Sequence, residues 1–146
     1  MAGYKSASFD PDEAAAASDL ASAASDAASK ASVALSAFGV QTITPADSVA
    51  INWSLGHVAS LLLDRATTTI SGFSGAVDGD RLVLRVRQDG TGSRALVMPA
   101  SVRYGTDLAS LGLPTGAGLT SYIGLIYHSG DSKYDVVSVA RGFAAP

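Results

Sequence analysis

Cysteine is absent, which removes disulfide staples and thiolate metal sites from consideration. Glutamate occurs once, at Glu13, so paired carboxylates of the glycosidase kind would have to be aspartates such as Asp78, Asp80, Asp107 or Asp131. Aromatic residues are scarce and there is one tryptophan, Trp53. Long apolar runs are missing too: Leu61 to Leu63 is the longest strongly apolar stretch, far short of the about 20 residues a membrane helix needs. The opening stretch MAGYKSASFDPDE has no apolar centre of the signal-peptide kind. The expectation is a soluble protein made in a cytoplasm, without membrane insertion. A net charge of -3 argues against nucleic acid as a general partner.

The charge is unevenly placed. Residues 1–38 carry five acids (Asp10, Asp12, Glu13, Asp19, Asp26) against two lysines, and the remainder is neutral, with arginine as its main base. Two chemically different segments are joined, and the chain divides into a leader (1–9), a helix (10–38), a linker (39–48) and a β-domain (49–146).

The helix is marked at both ends. Asp10 suits the N-cap, Pro11 the first helical position, and Glu13 completes a capping box. Gly39 stands where a left-handed C-terminal cap belongs. Within it, SDLASAA, SDAASKA and SVALSAF repeat every seven residues from Ser18 to Phe38. Serines at 18, 22, 25, 29, 32 and 36 form two polar columns. Opposite them lie Ala17, Ala24, Ala31 and Phe38, with Leu20, Ala27 and Ala34, at the a and d positions of a heptad; Leu35 lies in an adjoining column. Alanine favours the helix but buries one methyl group, so one copy gains little by docking alone. Small side chains let backbones approach closely, and these residues are expected to form an oligomer interface between copies of the chain. The alternative is one amphipathic helix lying on its own β-domain or on a neighbouring protein.

Beyond Val49, short runs rich in valine, threonine and leucine alternate with turn formers such as Asp78-Gly79, Asp89-Gly90 and Gly130-Asp131. Strands are expected at 49–53, 57–63, 67–71, 81–88, 95–98, 119–129 and 133–143. With no βαβ pattern, the fold class is mainly β: an alanine-rich, coiled-coil-like helix followed by an antiparallel, jelly-roll-like β-sandwich. On the strand at 81–88, Leu82, Leu84 and Val86 face one way, and Arg81, Val83, Arg85 and Arg87 the other. The arginines form a stripe suited to acidic groups of a neighbour or to an anionic glycan, or else a solvated face paired with nearby aspartates. Trp53 shares a face with Ile51 and Leu55, which favours core packing over glycan stacking. Arg103 and Tyr104 are better placed for a partner. Leu108, Leu111, Leu113 and Leu119 sit in a glycine-rich loop and suggest an interface patch.

The stretch LVLRVRQDGTGSRALVMPASVRYG, preceded by LLLDRATTTISGF and followed by YIGLIYHSGDSKYDVVSVARGF, resembles a β-domain recurrent in bacteriophage appendage proteins. There an apolar strand ends in a Gln-Asp-x-Thr-Gly-Ser-Arg turn, here Gln88 to Arg94, and a further strand and a proline follow. An Ala/Ser heptad segment ahead of such a domain is similar to the shafts of tail fibres and head spikes. The resemblance implies a virion component of a tailed phage or of a phage-derived gene transfer agent. It also implies no enzyme activity, catalytic residue or cofactor, and self-association as a trimer, or as a pentamer on a five-fold vertex. Other virion proteins and cell-surface polysaccharide are the remaining expected partners. A carbohydrate-binding module on a helical tether is the rival reading. No metal site is expected, since His57 and His128 lack ligand spacing. Asp78-Gly79-Asp80 reads as a hairpin turn before it reads as a calcium loop.

Overall fold

A computed structural model describes residues 11–37 and 39–146, with side chains of the helix described from Asp12 to Ala31. The chain divides into two compact units between Ala34 and Leu35. Helix α1, Pro11–Ala37, makes up the described part of the first unit and runs three residues past the division, with Asp12 and Glu13 in its first turn, at the positive end of the helix dipole. At 27 residues it is about 40 Å long. Asp10 and Phe38, and the side chains of Ala34 and Leu35, lie outside the described residues.

The second unit is β-rich. Its strands are β1 (Val40–Ile43), β2 (Ser48–Asn52), β3 (Val58–Leu63), β4 (Thr67–Ser74), β5 (Arg81–Gln88), β6 (Ala95–Val97), β7 (Val102–Arg103), β8 (Thr120–His128) and β9 (Lys133–Phe143). They form a mixed six-stranded sheet ordered β1-β3-β5-β8-β9-β7 and a three-stranded sheet ordered β2-β4-β6. β1 lies in the stretch expected to be linker. Gly39 and Pro45 bracket it so closely that its four residues resemble a connection in sequence.

The antiparallel expectation holds only where β8 pairs with β5 and β9. Everything else is parallel: β1 with β3, β3 with β5, β2 with β4, β4 with β6, and β7 with β9. Parallel neighbours require a crossover, for which a helix is the usual device. Among β1 to β6 each crossover is a strand of the other sheet, because these strands alternate strictly between the two sheets, whereas β7 and β9 are joined through β8 of their own sheet. The chain thus winds in three coils, as β-helices do. Residues in register run from Val40 to Val58 to Val83, unequal steps that leave no repeat to read in sequence.

One core takes side chains from both sheets. β2 contributes Val49 and Ile51, β3 Ala59, Leu61 and Leu63, β4 Ile70, β5 Leu82, Leu84 and Val86, β8 Ile123 and Leu125, and β9 Tyr134 and Val136. Period-two alternation explains the choice on β5, where Leu82, Leu84, Val86 and Gln88 are buried and their neighbours are not. Trp53 is fully buried, edge-on to Phe73 at 5.4 Å; Phe73 meets Tyr134 at 4.8 Å, and Tyr134 meets Tyr127 at 4.6 Å. Leu55 does not share its face. Trp53–Leu55 is a 3-10 turn rather than strand, so alternation fails there and Leu55 stays exposed.

Candidate functional site

The outward face of β5 carries the arginines. Register places Arg85 between Ser60 on β3 and Tyr122 on β8, and Arg87 between Leu62 and Thr120. Ser60, Arg85, Arg87, Thr120 and Tyr122 line an open recess of about 350 Å3. The Arg85 Nε donates to Ser60 Oγ at 3.1 Å, which fixes the plane of the guanidinium. Tyr122 packs edge-on against Phe143 at 5.6 Å, and both rings remain partly exposed.

No carboxylate among the described residues lies within ion-pair distance of Arg81, Arg85 or Arg87. By contrast Arg65 meets Asp47 and Asp64, Arg94 meets Asp89, and Arg103 meets Asp131 and Asp135. The alternative of a stripe neutralised by local aspartates is therefore not what the fold builds. Sequence reasoning found the arginines through strand alternation but missed Ser60, Thr120, Tyr122 and Phe143. Alternation along β8 would have turned Tyr122 outward; its place beside Arg85 depends on a pairing that sequence does not specify.

The other expected partner residues separate from this face. Arg103 grips Asp135 with Nε–Oδ1 and Nη2–Oδ2 bonds of 2.6 and 2.9 Å, and reaches Asp131 at 3.1 Å. The Asp135 and Asp131 carboxylates hold its proton more tightly still, and Arg103 in turn pulls the Asp135 carboxyl below its ordinary range. Arg103 is thereby a fastener between β7 and β9. Tyr104 stands at a different recess, of about 400 Å3, with Arg94, Leu96, Ser110, Leu111 and Leu113. Its hydroxyl is pushed up by burial. Leu111 is buried in the chain's own core, while Leu108 and Leu113 pack against that core and stay partly exposed. The loop folds back because Arg141 Nε donates to the Leu111 carbonyl at 2.6 Å, while Ser93 and Gly118 N–H groups reach Thr115 and Asp89 carbonyls.

The Gln88 to Arg94 turn is a closed hydrogen-bonded unit. Asp89 accepts from the Thr91 and Gly92 N–H groups and from the Arg94 guanidinium. Gly92, at φ +73°, has no room for a side chain, since a Cβ would lie 2.4 Å from the Thr115 carbonyl oxygen. Buried Gln88 donates to the Arg94 and Pro114 carbonyls and accepts from the Arg94 N–H. Gln88→Leu is expected to destabilise the β unit, each orphaned backbone group costing about 1–3 kcal/mol, as read by urea denaturation.

Hydrogen bonds from Arg94, assisted by the Gly92 and Thr91 N–H groups, hold the Asp89 carboxyl down at about 2, below its ordinary 3.8. A depressed acid stabilises the fold above its unfolded pKa, and that contribution is lost as pH falls through the folded value. Acid titration should therefore show stability falling from about pH 4 towards pH 2, and Asp89→Asn should flatten that limb. An unchanged slope in the variant would remove Asp89 from the acid response.

Among the described residues no group of three or more histidine or acidic side chains converges as metal ligands do. Asp78 accepts from the Ser129 N–H and Asp80 from the Val77 N–H, so both aspartates of the Asp-Gly-Asp turn serve backbone donors. No described helix is long and apolar enough to cross a membrane. On α1, the described members of the heptad columns, Ala17, Leu20, Ala24, Ala27 and Ala31, are all exposed, Leu20 at 73%. No protein-family model, curated protein or solved structure matches the chain.

Proposed function

We propose that the chain is a non-enzymatic, homo-oligomeric fibre or spike component of a phage-like particle, in which α1 joins copies and anchors them while the β unit is displayed. The observation that carries this reading is the exposed apolar column of α1. A helix of this length gains most of its stability from packing an apolar face, and single-chain burial leaves Leu20 and the alanines around it open. Copies packed along those columns would cover them, in a coiled-coil bundle of three, or of five at a five-fold vertex. The resemblance of Gln88–Arg94 and its flanking strands to phage appendage domains supports the virion setting. The two sheets are read as the layers of a sandwich around their shared core, wound partly as coils.

The solution mass of the full chain, by light scattering, tests the reading. Three or five times 14.7 kDa supports it; a mass of 14.7 kDa overturns it. The arginine recess beside Tyr122 favours the second reading, a carbohydrate-binding module whose helix is a tether, and a single-chain mass would move that reading to first place.

A further inference from the structure

We propose that the outward face of β5 and β8 is a binding site for a carboxylate-bearing polysaccharide, with Arg85 and Arg87 holding the carboxylate and Tyr122 flanking the sugar. The proposal deepens the display role given to the β unit above and rests on that reading.

Three observations on this face combine. The first is uncompensated charge: Arg81, Arg85 and Arg87 lie on one strand with no carboxylate in ion-pair reach among the described residues. In this neutral β unit every aspartate-paired arginine, Arg65, Arg94 and Arg103, lies elsewhere. Arginine's planar fork matches a carboxylate in two-point geometry, and Arg85 already has its Nε committed to Ser60, which leaves the terminal nitrogens for a ligand. The second is the recess itself, whose remaining lining is hydroxyl-bearing: Ser60, Thr120 and Tyr122. Hydroxyls that donate and accept suit sugar hydroxyls, whereas an acidic peptide would be better served by an apolar pocket for its side chains. The third is aromatic surface, scarce in this chain, placed at the recess by the Tyr122–Phe143 pair. A sugar ring presents C–H faces to such a surface while its polar edge meets the hydroxyls.

Nucleic acid is the other polyanion to weigh. A phosphate backbone is tracked by extended basic grooves on basic domains, whereas these three arginines occupy one strand of a protein with net charge -3. A second internal candidate is the acidic helix of a neighbouring copy, with Asp12, Asp19 and Asp26 spaced every seven residues.

The experiment uses the full chain in affinity electrophoresis through gels containing polygalacturonate, with neutral dextran as the control polymer. Polygalacturonate should retard the protein and dextran should not. Arg85→Gln with Arg87→Gln should weaken retardation by about tenfold or more, while Arg65→Gln, at an arginine that already has acid partners, should leave it unchanged. Tyr122→Ala should also weaken it, which a site made of charge alone would not show. Equal retardation by dextran, an unaffected double arginine variant, or displacement by single-stranded DNA at equal charge concentration would each overturn the proposal. So would a fall in solution mass of the double variant, which would assign the stripe to a neighbour's acidic helix. A monomeric parent protein that still binds polygalacturonate through Arg85 and Arg87 would uphold this site while removing the bundle.

Discussion

Placing glutamate at two column positions of α1, as Leu20→Glu with Ala27→Glu, is expected to reduce the full chain from an oligomer to a single 14.7 kDa species. Glutamate is a good helix former, so the change leaves local propensity nearly intact and acts on what the column touches. If copies meet along Ala17, Leu20, Ala24, Ala27 and Ala31, every chain in the bundle brings two carboxylates to its axis. An unpaired buried charge carries a penalty of several kcal/mol, and the charges of neighbouring copies also repel. The opposing gain is small, because an alanine column buries about 0.8 kcal/mol per carbon and Leu20 supplies the largest share of it. Separated helices should then lose part of their far-ultraviolet helical signal, since isolated helices are marginal in water. Ser22→Glu with Ser29→Glu, on the opposite polar columns, should change neither mass nor helicity. A mass that persists in the column variant would place the contact between copies elsewhere.

The helix and most strands were legible in sequence for one reason: their signals are local. Pro11 and Gly39 bracket α1, and the expected 10–38 differs little from Pro11–Ala37. Alternation gave Arg81–Gln88 and Lys133–Phe143 with the boundaries found. What was not legible depends on partners far along the chain. β1 and β7 are four and two residues long and carry no periodicity of their own. Parallel pairing of β1, β3 and β5 is decided by crossovers through the second sheet, and crossovers of unequal length erase any repeat. The same holds for the recess: the arginines announce themselves by alternation, but Ser60 and Tyr122 reach Arg85 only through strand order. Leu111 shows the reverse case, a loop residue whose burial depends on distant partners. A leucine-rich loop among glycines suggests contact with another chain, and only Arg141 and the Gln88 turn show how it is held against its own core.

Trp53→Ala should produce the largest loss of stability of any single truncation in the β unit. Trp53 is 0% exposed, stands at the end of the aromatic series through Phe73, Tyr134 and Tyr127, and joins the β2 exit to β4. Truncating a fully buried tryptophan costs about 3–5 kcal/mol, the lost transfer energy plus the cavity. For a unit of this size that corresponds to a fall in Tm of order 10–20 °C. Domains have only about 5–15 kcal/mol in hand, so the variant should sit near the threshold of unfolding. Trp53→Phe separates two contributions. The indole Nε1 is buried without a hydrogen-bond partner among the described residues, a desolvation cost that the parent protein already bears. Phenylalanine removes that orphan donor and keeps the edge contact with Phe73, so it should lose well under the alanine value. Thermal denaturation followed by circular dichroism compares all three proteins, and in the parent the single tryptophan reports the same transition by fluorescence. A phenylalanine variant as unstable as the alanine one would mean that the indole donor has a partner in solution, and that Trp53 is held by that bond as well as by packing.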